Sequence, residues 1–455
     1  MFGKRTVLST SWIAILFVAT QLLTSCGTGG DSTASAPSAS EAVKQQVSNE
    51  PVEISFYSAS ASEAMNEQFG AKYGDQLHKR FPQYTFKYIV VGNDVSLPEM
   101  IAGGTKFDIY FGSIGNFEEA MLPNDMQVDM TPLIKKHNVD LDAIDKTLVD
   151  AVRQASGGKL FGLPVETNTL TMFYNKSLFD KFGVPYPKDG MTWDDVTELA
   201  KRMTRTDSGV QYYGYSTSTK HLARMNQMSI PDADLKTNTP TINKDDRWKT
   251  LYTGAVLNPI SGYLDLFRSG KIKKLPNHTD NFMKNQDLAM YNYQLTLLST
   301  YEDIMKGLNW DMVSTPVFKE KPGVGAQMYP TYFGLTKWTR NPDAAMEVLK
   351  YMVSDEYQKN MGIHGMLTVL KSQAVKDAFI KESTFKDHNL AAVFHYPFAP
   401  IPPKGLYDAK LIDAYDDALN KDIIIAGTDI NTAFRKAEDK ATASINEFLS
   451  QGKGK

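Results

Sequence analysis

A chain of 455 residues, 42% hydrophobic, 22% charged and 11% aromatic, has the balance of a large globular body, which excludes a disordered or fibrous protein for most of its length. It exceeds the roughly 250 to 300 residues at which one core stops growing, so two lobes are expected. A formal charge of −3 offers no basic surface for nucleic acid, and a single cysteine excludes disulfide scaffolds and CxxC metal or redox sites.

Lys4 and Arg5 precede an apolar stretch from Val7 to Leu23 that Ser9, Thr10, Ser11, Thr20 and Gln21 interrupt, the pattern of a secretory signal. A transmembrane helix needs about 20 strongly apolar residues, and no later segment is apolar enough to span a bilayer. The stretch ends in Leu23-Thr24-Ser25-Cys26-Gly27, which resembles a bacterial lipobox, where cleavage leaves an acylated cysteine at the new terminus. The alternative is an ordinary signal with an incidental cysteine. The lone Cys at a small-residue cleavage point favours the lipid anchor. Cleavage there leaves 47 basic against 52 acidic residues, a formal charge of −5. Residues 27–50 are small and polar, without an aromatic residue, and cannot bury enough apolar area to fold. They read as a tether of 24 residues, with a typical end-to-end distance of about 27 Å.

The body opens with alternating apolar positions in VEISFY (52–57), a strand pattern. Met65, Phe69, Tyr73, Leu77 and Phe81 then recur every four residues and predict a helix ending before Pro82. A strand follows in TFKYIVV (85–91), then a short helix from Leu97 to Ala102 closed by Gly103-Gly104, then a strand in FDIYF (107–111). This βαβαβ order predicts an α/β fold with a parallel sheet and ligand groups outside the carboxyl ends of its strands. Those ends are Tyr57-Ser58, Val91-Gly92-Asn93 and Phe111-Gly112-Ser113. GKLFGLPVETNTLTMFYN (158–175) reads as two extended runs joined by polar residues. Thr192-Trp193-Asp194-Asp195 has capping-box spacing before a helix carrying Val196, Leu199, Ala200 and Met203. Asn341-Pro342 starts another helix, Pro397 to Pro403 is a loop, and 430–450 is a final helix.

The chain lacks HExxH, a P-loop and EF-hand spacing, and its seven histidines include no i, i+4 pair, so no metal, cofactor or catalytic group is expected. Ser113 in FGSIG lacks the first glycine of a nucleophile elbow and reads as a hydrogen-bonding group at a strand end. The pairs Glu118-Glu119, Asp194-Asp195, Asp245-Asp246 and Asp416-Asp417 are sequence neighbours that point apart, and read as solvated faces. The candidate ligand-binding residues are Tyr57, Ser58, Asp108, Ser113, Glu166, Asn168, Tyr293, Tyr329, Tyr332 and Tyr407. Aromatic rings accept the C–H faces of sugars, and carboxylate and amide groups fix their hydroxyls.

TKFDIYFGS (105–113), GKLFGLPVETNTLTMFYNKSLFDKFGV (158–184) leading into MTWDDVTELAKRM (191–203), FMKNQDLAM (282–290) and YFGLTKWTRNPDAAMEVLKYMVSDEYQ (332–358) occur in this order. With these runs the chain resembles the extracellular solute-binding proteins of ABC importers, the sugar-binding group that includes maltose-binding-protein-like lipoproteins. The resemblance implies a type II periplasmic-binding-protein-like fold of two discontinuous α/β lobes joined by hinge strands around a ligand cleft. Its expected boundaries are a signal peptide at 1–25, a lipid-anchored linker at 26–50, a first lobe from 51–164 and 315–367, and a second from 165–314 and 368–455. It also implies crossings near Pro164 to Glu166, Ser314 to Val317 and Met366 to Leu370, with Glu166 at the cleft. Tyr291-Asn292-Tyr293 replaces a Gly-containing turn, which leaves both rings open as the sugar-stacking one. Tyr332 stands two before Gly334, where relatives carry a small residue, and Tyr407 follows a Pro-rich loop.

The function so implied is carbohydrate capture outside the membrane, with delivery to permease subunits served by a separate ATPase, by a monomer bound to the outer face of the cytoplasmic membrane. Two other readings stand beside it. A receptor of the same fold would bind a peptide, polyamine or anion, and a surface enzyme acting on polysaccharide would require two carboxyls roughly 5 to 9.5 Å apart.

Overall fold

The computed structural model describes residues 52–59, 69–90 and 95–451. The signal stretch, Cys26 and the tether lie outside the described residues, as do Met65 and the Val91-Gly92-Asn93 strand end.

VEISFY forms β1 (Val52–Tyr57), with Ile54 and Phe56 buried on its core face. Phe69, Tyr73, Leu77 and Phe81 are buried along the helical stretch that follows, a π-turn at Gly70–Gly74 running into α1 (Asp75–Arg80). β2 (Tyr84–Tyr88) returns beside β1. α2 (Leu97–Ala102) starts at a capping box in which Ser96 and Glu99 exchange bonds, so two orphan amides of its first turn are satisfied. β3 (Ile109–Ser113) lies two residues beyond the sequence expectation. The reason is chemical. Asp108 turns inward as an acceptor for the Ser55 amide and hydroxyl at 2.9 and 2.5 Å, and pairing with a later strand carries the extended backbone on to Ser113. α3 (Asn116–Met121) follows directly.

Next come β4 (Leu163–Glu166), β5 (Leu170–Asn175), α4 (Trp193–Met203), β6 (Arg205–Asp207), β7 (Val210–Thr217) and α5 (Thr219–Arg224). They are followed by β8 (Leu288–Gln294), β9 (Trp310–Val313), β10 (Thr331–Leu335), α6 (Pro342–Met352) and α7 (Ile430–Ser450). Thr192 and Asp195 make the expected capping box of α4. Pro342 opens α6, although Asn341 gives it no side-chain cap.

Two five-stranded sheets result, in the orders β2-β1-β3-β10-β4 and β9-β5-β8-β7-β6. In the first, β1, β2 and β3 are parallel and β10 runs antiparallel between β3 and β4. In the second, β7 and β8 are parallel and β5 is antiparallel to β8 and β9. Each sheet has its own apolar core. Phe56, Phe111, Leu148, Phe333 and Leu349 belong to the first, and Phe173, Trp193, Tyr215, Trp248 and Phe434 to the second.

The chain passes from the first sheet to the second between Glu166 and Leu170, and back between Val313 and Thr331. It passes a third time after α6, where Met366, Val369 and Leu370 pack in the first core and Leu367 and Phe379 in the second. These passages are bonded to one another. Asn168 and Tyr329 exchange backbone hydrogen bonds at 3.2 and 2.8 Å, and Thr167 bridges Leu367. The carboxyl ends of β3 and β4 and those of β7 and β8 all lie at this junction, because the passages begin and end there.

Candidate functional site

Parallel strands gather side chains and helix N-termini at their carboxyl ends, so the junction is where chemistry should collect. Ser113 closes β3, and Gly115 turns the chain with φ +85° into α3, a left-handed value that favours glycine. One turn on, Asn116 reaches back, its Nδ2 donating to Ser113 Oγ at 3.1 Å. Ser113 Oγ donates in turn to the Tyr329 hydroxyl at 3.2 Å. Arg224 Nη1, from the last turn of α5 in the second half, donates to the same hydroxyl at 3.4 Å. One phenol in a crossing segment thus joins the strand end of one sheet to a guanidinium beside the other. The remaining Arg224 donors form a fixed planar fork suited to ring and hydroxyl oxygens.

Beside this seam lies a buried ionic group. Lys404 Nζ donates to Asp232 Oδ2 at 2.8 Å, with side-chain exposures of 7% and 0%. Burial pulls the ammonium's pKa down, and the Asp232 and Asp408 charges outweigh that and lift it. Asp408 is driven far above the usual carboxylate range by burial first and then by the nearby charge of Asp232. Across the seam, Glu118 of α3 is 3% exposed. Its Oε2 accepts from the Gly115 amide at 2.9 Å, and burial raises its pKa to about 7 against the pull of that bond and of Lys404. The expectation of a solvated Glu118-Glu119 face therefore fails at Glu118, which is the capping acid at the third position of a helix whose start is inside the fold.

Among the residues singled out from sequence, the structure brings Ser113, Asn168 and Tyr329 together at the junction. Asn168 staples the crossing there: its Nδ2 donates to Thr296 Oγ1 at 3.0 Å and its Oδ1 accepts from the Thr169 amide at 2.9 Å. Tyr293, at the end of β8, is half-buried. It stacks on Tyr291 with centroids 4.7 Å apart and stands edge-on to His221 at 5.4 Å. Burial keeps His221 neutral, its pKa lowered to about 3. Tyr291 is fully buried, its hydroxyl 3.1 Å from Thr279 Oγ1, which leaves Tyr293 as the more accessible ring. Ser58 is buried just past β1.

Glu166 closes β4 at the junction, but its carboxylate is occupied by Lys72 at 2.8 Å and by the Tyr73 hydroxyl at 2.7 Å. The other four lie elsewhere. Tyr57 packs on Phe107 and Tyr110 in the first core. Asp108 precedes β3, at the opposite end of that strand from Ser113, which puts it about 16 Å away. Tyr332 is fully buried, donating to the Leu148 carbonyl at 2.7 Å, and Tyr407 is buried against Phe448, donating to Asn238 Oδ1 at 2.8 Å.

Sequence reading missed Asn116, Glu118, Arg224 and Lys404, whose spacing along the chain carries no local pattern. Only Glu118 had a signal, a glutamate three residues after the turn glycine Gly115. The seam offers hydrogen bonds, fixed charges and an aromatic ring. Glu166 and Asp108 do not face each other across it, and among the described residues no three His, Cys, Asp or Glu side chains gather as a metal site.

Comparison with known proteins agrees with this architecture. A Bacillus subtilis arabinooligosaccharide-binding protein is 27% identical over 196 residues, a match that covers 41% of this chain and spans less than half, 43%, of that relative. An ABC substrate-binding protein from Listeria monocytogenes in complex with cycloalternan superposes with a TM-score of 0.66 at 20% identity, over 88% of this chain and all of the other. A cyclic alpha-maltosyl-1,6-maltose binding protein from Arthrobacter globiformis gives a TM-score of 0.61 at 15% identity, again over 88% of this chain and all of its own. These likenesses establish the two-lobed, type II periplasmic-binding-protein-like fold. The model of bacterial extracellular solute-binding proteins matches residues 58–359, most of the folded body, and the chain belongs to that family.

Proposed function

We propose that this protein captures a carbohydrate, an oligosaccharide of a few units, between its two halves and delivers it by lobe closure to the permease of an ABC importer. One observation carries the reading: the carboxyl ends of both sheets meet at a seam where Ser113, Tyr329 and Arg224 already form a hydrogen-bonded chain from one half to the other. A solute that inserts its hydroxyls into that chain touches both halves at once, and so favours the closed arrangement by its differential affinity. Ser113, Asn116, Arg224 and Tyr329 would supply polar contacts, Glu118 a carboxyl at the seam, and Tyr293 a stacking ring. The arabino-oligosaccharide and cycloalternan ligands of two relatives support a glycan over a peptide, polyamine or anion.

The same reading places lobe boundaries at the crossings, near 165, 315 and 368. It makes the protein a monomeric binder with no catalytic step, ATP being hydrolysed by a separate subunit. Cys26 carries palmitate or a like acyl chain and holds the body on the outer face of the cytoplasmic membrane. Isothermal titration with arabino-oligosaccharides and α-gluco-oligosaccharides tests the central point. A micromolar dissociation constant for at least one of them is expected, weakened tenfold or more by Arg224→Ala. Heat only from peptides, polyamines or anions would assign the cleft to another solute, and turnover of the glycan would remove the transport reading.

A further inference from the structure

A second concavity lies on the first sheet, at the end away from Ser113. This groove, about 530 Å³, is walled by Lys87, Lys106, Lys337 and Arg340, with Glu53 and Trp338 between them. The acids at its border are engaged within the fold. Asp108 accepts from the Ser55 amide and hydroxyl and, through Oδ1, from the Arg340 amide at 3.0 Å, while Glu53 takes the Arg340 guanidinium at 3.2 Å. Lys337 meets the exposed Asp125 at 2.8 Å. Lys87 and Lys106 are exposed and form no ion pair among the described residues. On a chain of negative net charge, this groove is a local reversal of sign.

Its position adds a second observation. β1 begins at Val52, and Glu53, the next residue, already lines the groove, so the chain arriving from Cys26 enters the body at this end of the sheet. On the lipid-anchor reading, the 24 residues from 27 to 50 have the composition of a flexible coil with a typical span of about 27 Å, so this end of the sheet is the part of the body joined most directly to the anchor. Electrostatic attraction to an anionic bilayer acts only within about a Debye length, roughly 8 Å at physiological salt, so cations near the point of entry are those placed to feel it.

We propose that this groove is a docking surface for the phosphate headgroups of an anionic membrane, seating the amino end of the first sheet on the bilayer. The proposal rests on the lipid-anchor reading above. Ser113 and the junction lie about 16 Å further along β3, so a body seated this way opens its cleft to the medium while it captures solute. The contact is weak and reversible, since a few cations alone give a salt-sensitive association, and the body can leave the headgroups to meet a permease.

Both cores lie within residues 52–451, so the unlipidated mature chain starting at position 26 with Cys26→Ser carries the fold for the test. Co-sedimentation with phosphatidylglycerol vesicles at 50 mM salt should retain it, phosphatidylcholine vesicles should not, and 300 mM salt should release it. The triple variant Lys87→Ala, Lys106→Ala, Lys337→Ala should partition about a hundredfold more weakly, at about fivefold per lysine, with unchanged glycan affinity and melting temperature. Equal binding to both vesicle types, variant binding equal to the parent, or full displacement by millimolar glycerol phosphate at constant ionic strength would overturn the proposal, the last by making the groove a soluble-phosphate site. Mass spectrometry of the full chain from a lipoprotein-processing bacterium separates the two readings. An unacylated Cys26 with lysine-dependent vesicle binding removes the anchor and supports the docking surface. An acylated Cys26 with lysine-independent binding removes the docking surface alone.

Discussion

Glu118 couples the seam to pH. Burial lifts its pKa from 4.5 to about 7, so between those values the folded state binds the proton more tightly than the unfolded chain does. The contribution is fully stabilising below pH 4.5 and is lost as pH rises through 7, with a slope of at most about 1.4 kcal/mol per pH unit. Glu118→Gln keeps an acceptor for the Gly115 amide and removes the titration. Denaturant unfolding from pH 4.5 to 7.5 should therefore show a flatter stability profile for the variant than for the parent, and parallel profiles would mean that Glu118 is ionised throughout. Lys404 makes a different prediction. Removing one member of a buried ion pair leaves a charge without compensation, which costs about 3 to 5 kcal/mol, so Lys404→Met should strand Asp232 and lower the denaturation midpoint accordingly. Asp408→Asn should cost far less, because burial already disfavours the charged form of that carboxyl.

At the scale of elements, close approaches decide which positions tolerate change. Gly214 of β7 lies under α4, where an added Cβ would fall 2.0 Å from the Ala200 carbonyl oxygen. Gly214→Ala must push the helix off the sheet, an overpacking that costs about 1 to 3 kcal/mol or more, visible by calorimetry as a lowered melting temperature. Glu166 shows how a strand end can be read two ways. A direct ligand role expects Glu166→Ala to lose binding at constant stability. The observed bonds to Lys72 and Tyr73 instead tie β4 to the turn before α1, so the substitution should cost about 1.5 to 3 kcal/mol of unfolding free energy. Elements set by local chemistry are legible: β1 by alternation, α2 by the glycines that close it, α4 by its capping box, and α7 as the final helix. The end of β3 is not legible in the sequence, because β10, a partner far along the chain, fixes it. The site was legible only where residues follow a strand, as at Ser113, or stand in a crossing, as at Asn168 and Tyr329. Arg224 and Lys404 come from elements that only the assembled fold brings together.

Over the whole molecule, two cores with separate sheets are linked by three passages that bond to one another through Asn168, Tyr329, Thr167 and Leu367. On the proposed function, such a linkage would let the halves rotate while the passages keep their backbone bonds, and a solute held from both sides would shift the population toward closure. At a concentration of 100 times its dissociation constant that solute should add about 2.7 kcal/mol to stability. Small-angle X-ray scattering of the same sample, with and without the oligosaccharide that gives the strongest calorimetric signal, tests the clamp most directly. A smaller radius of gyration and a shorter maximum dimension in the bound state are predicted, and superimposable scattering curves from a demonstrably saturated sample would contradict the account.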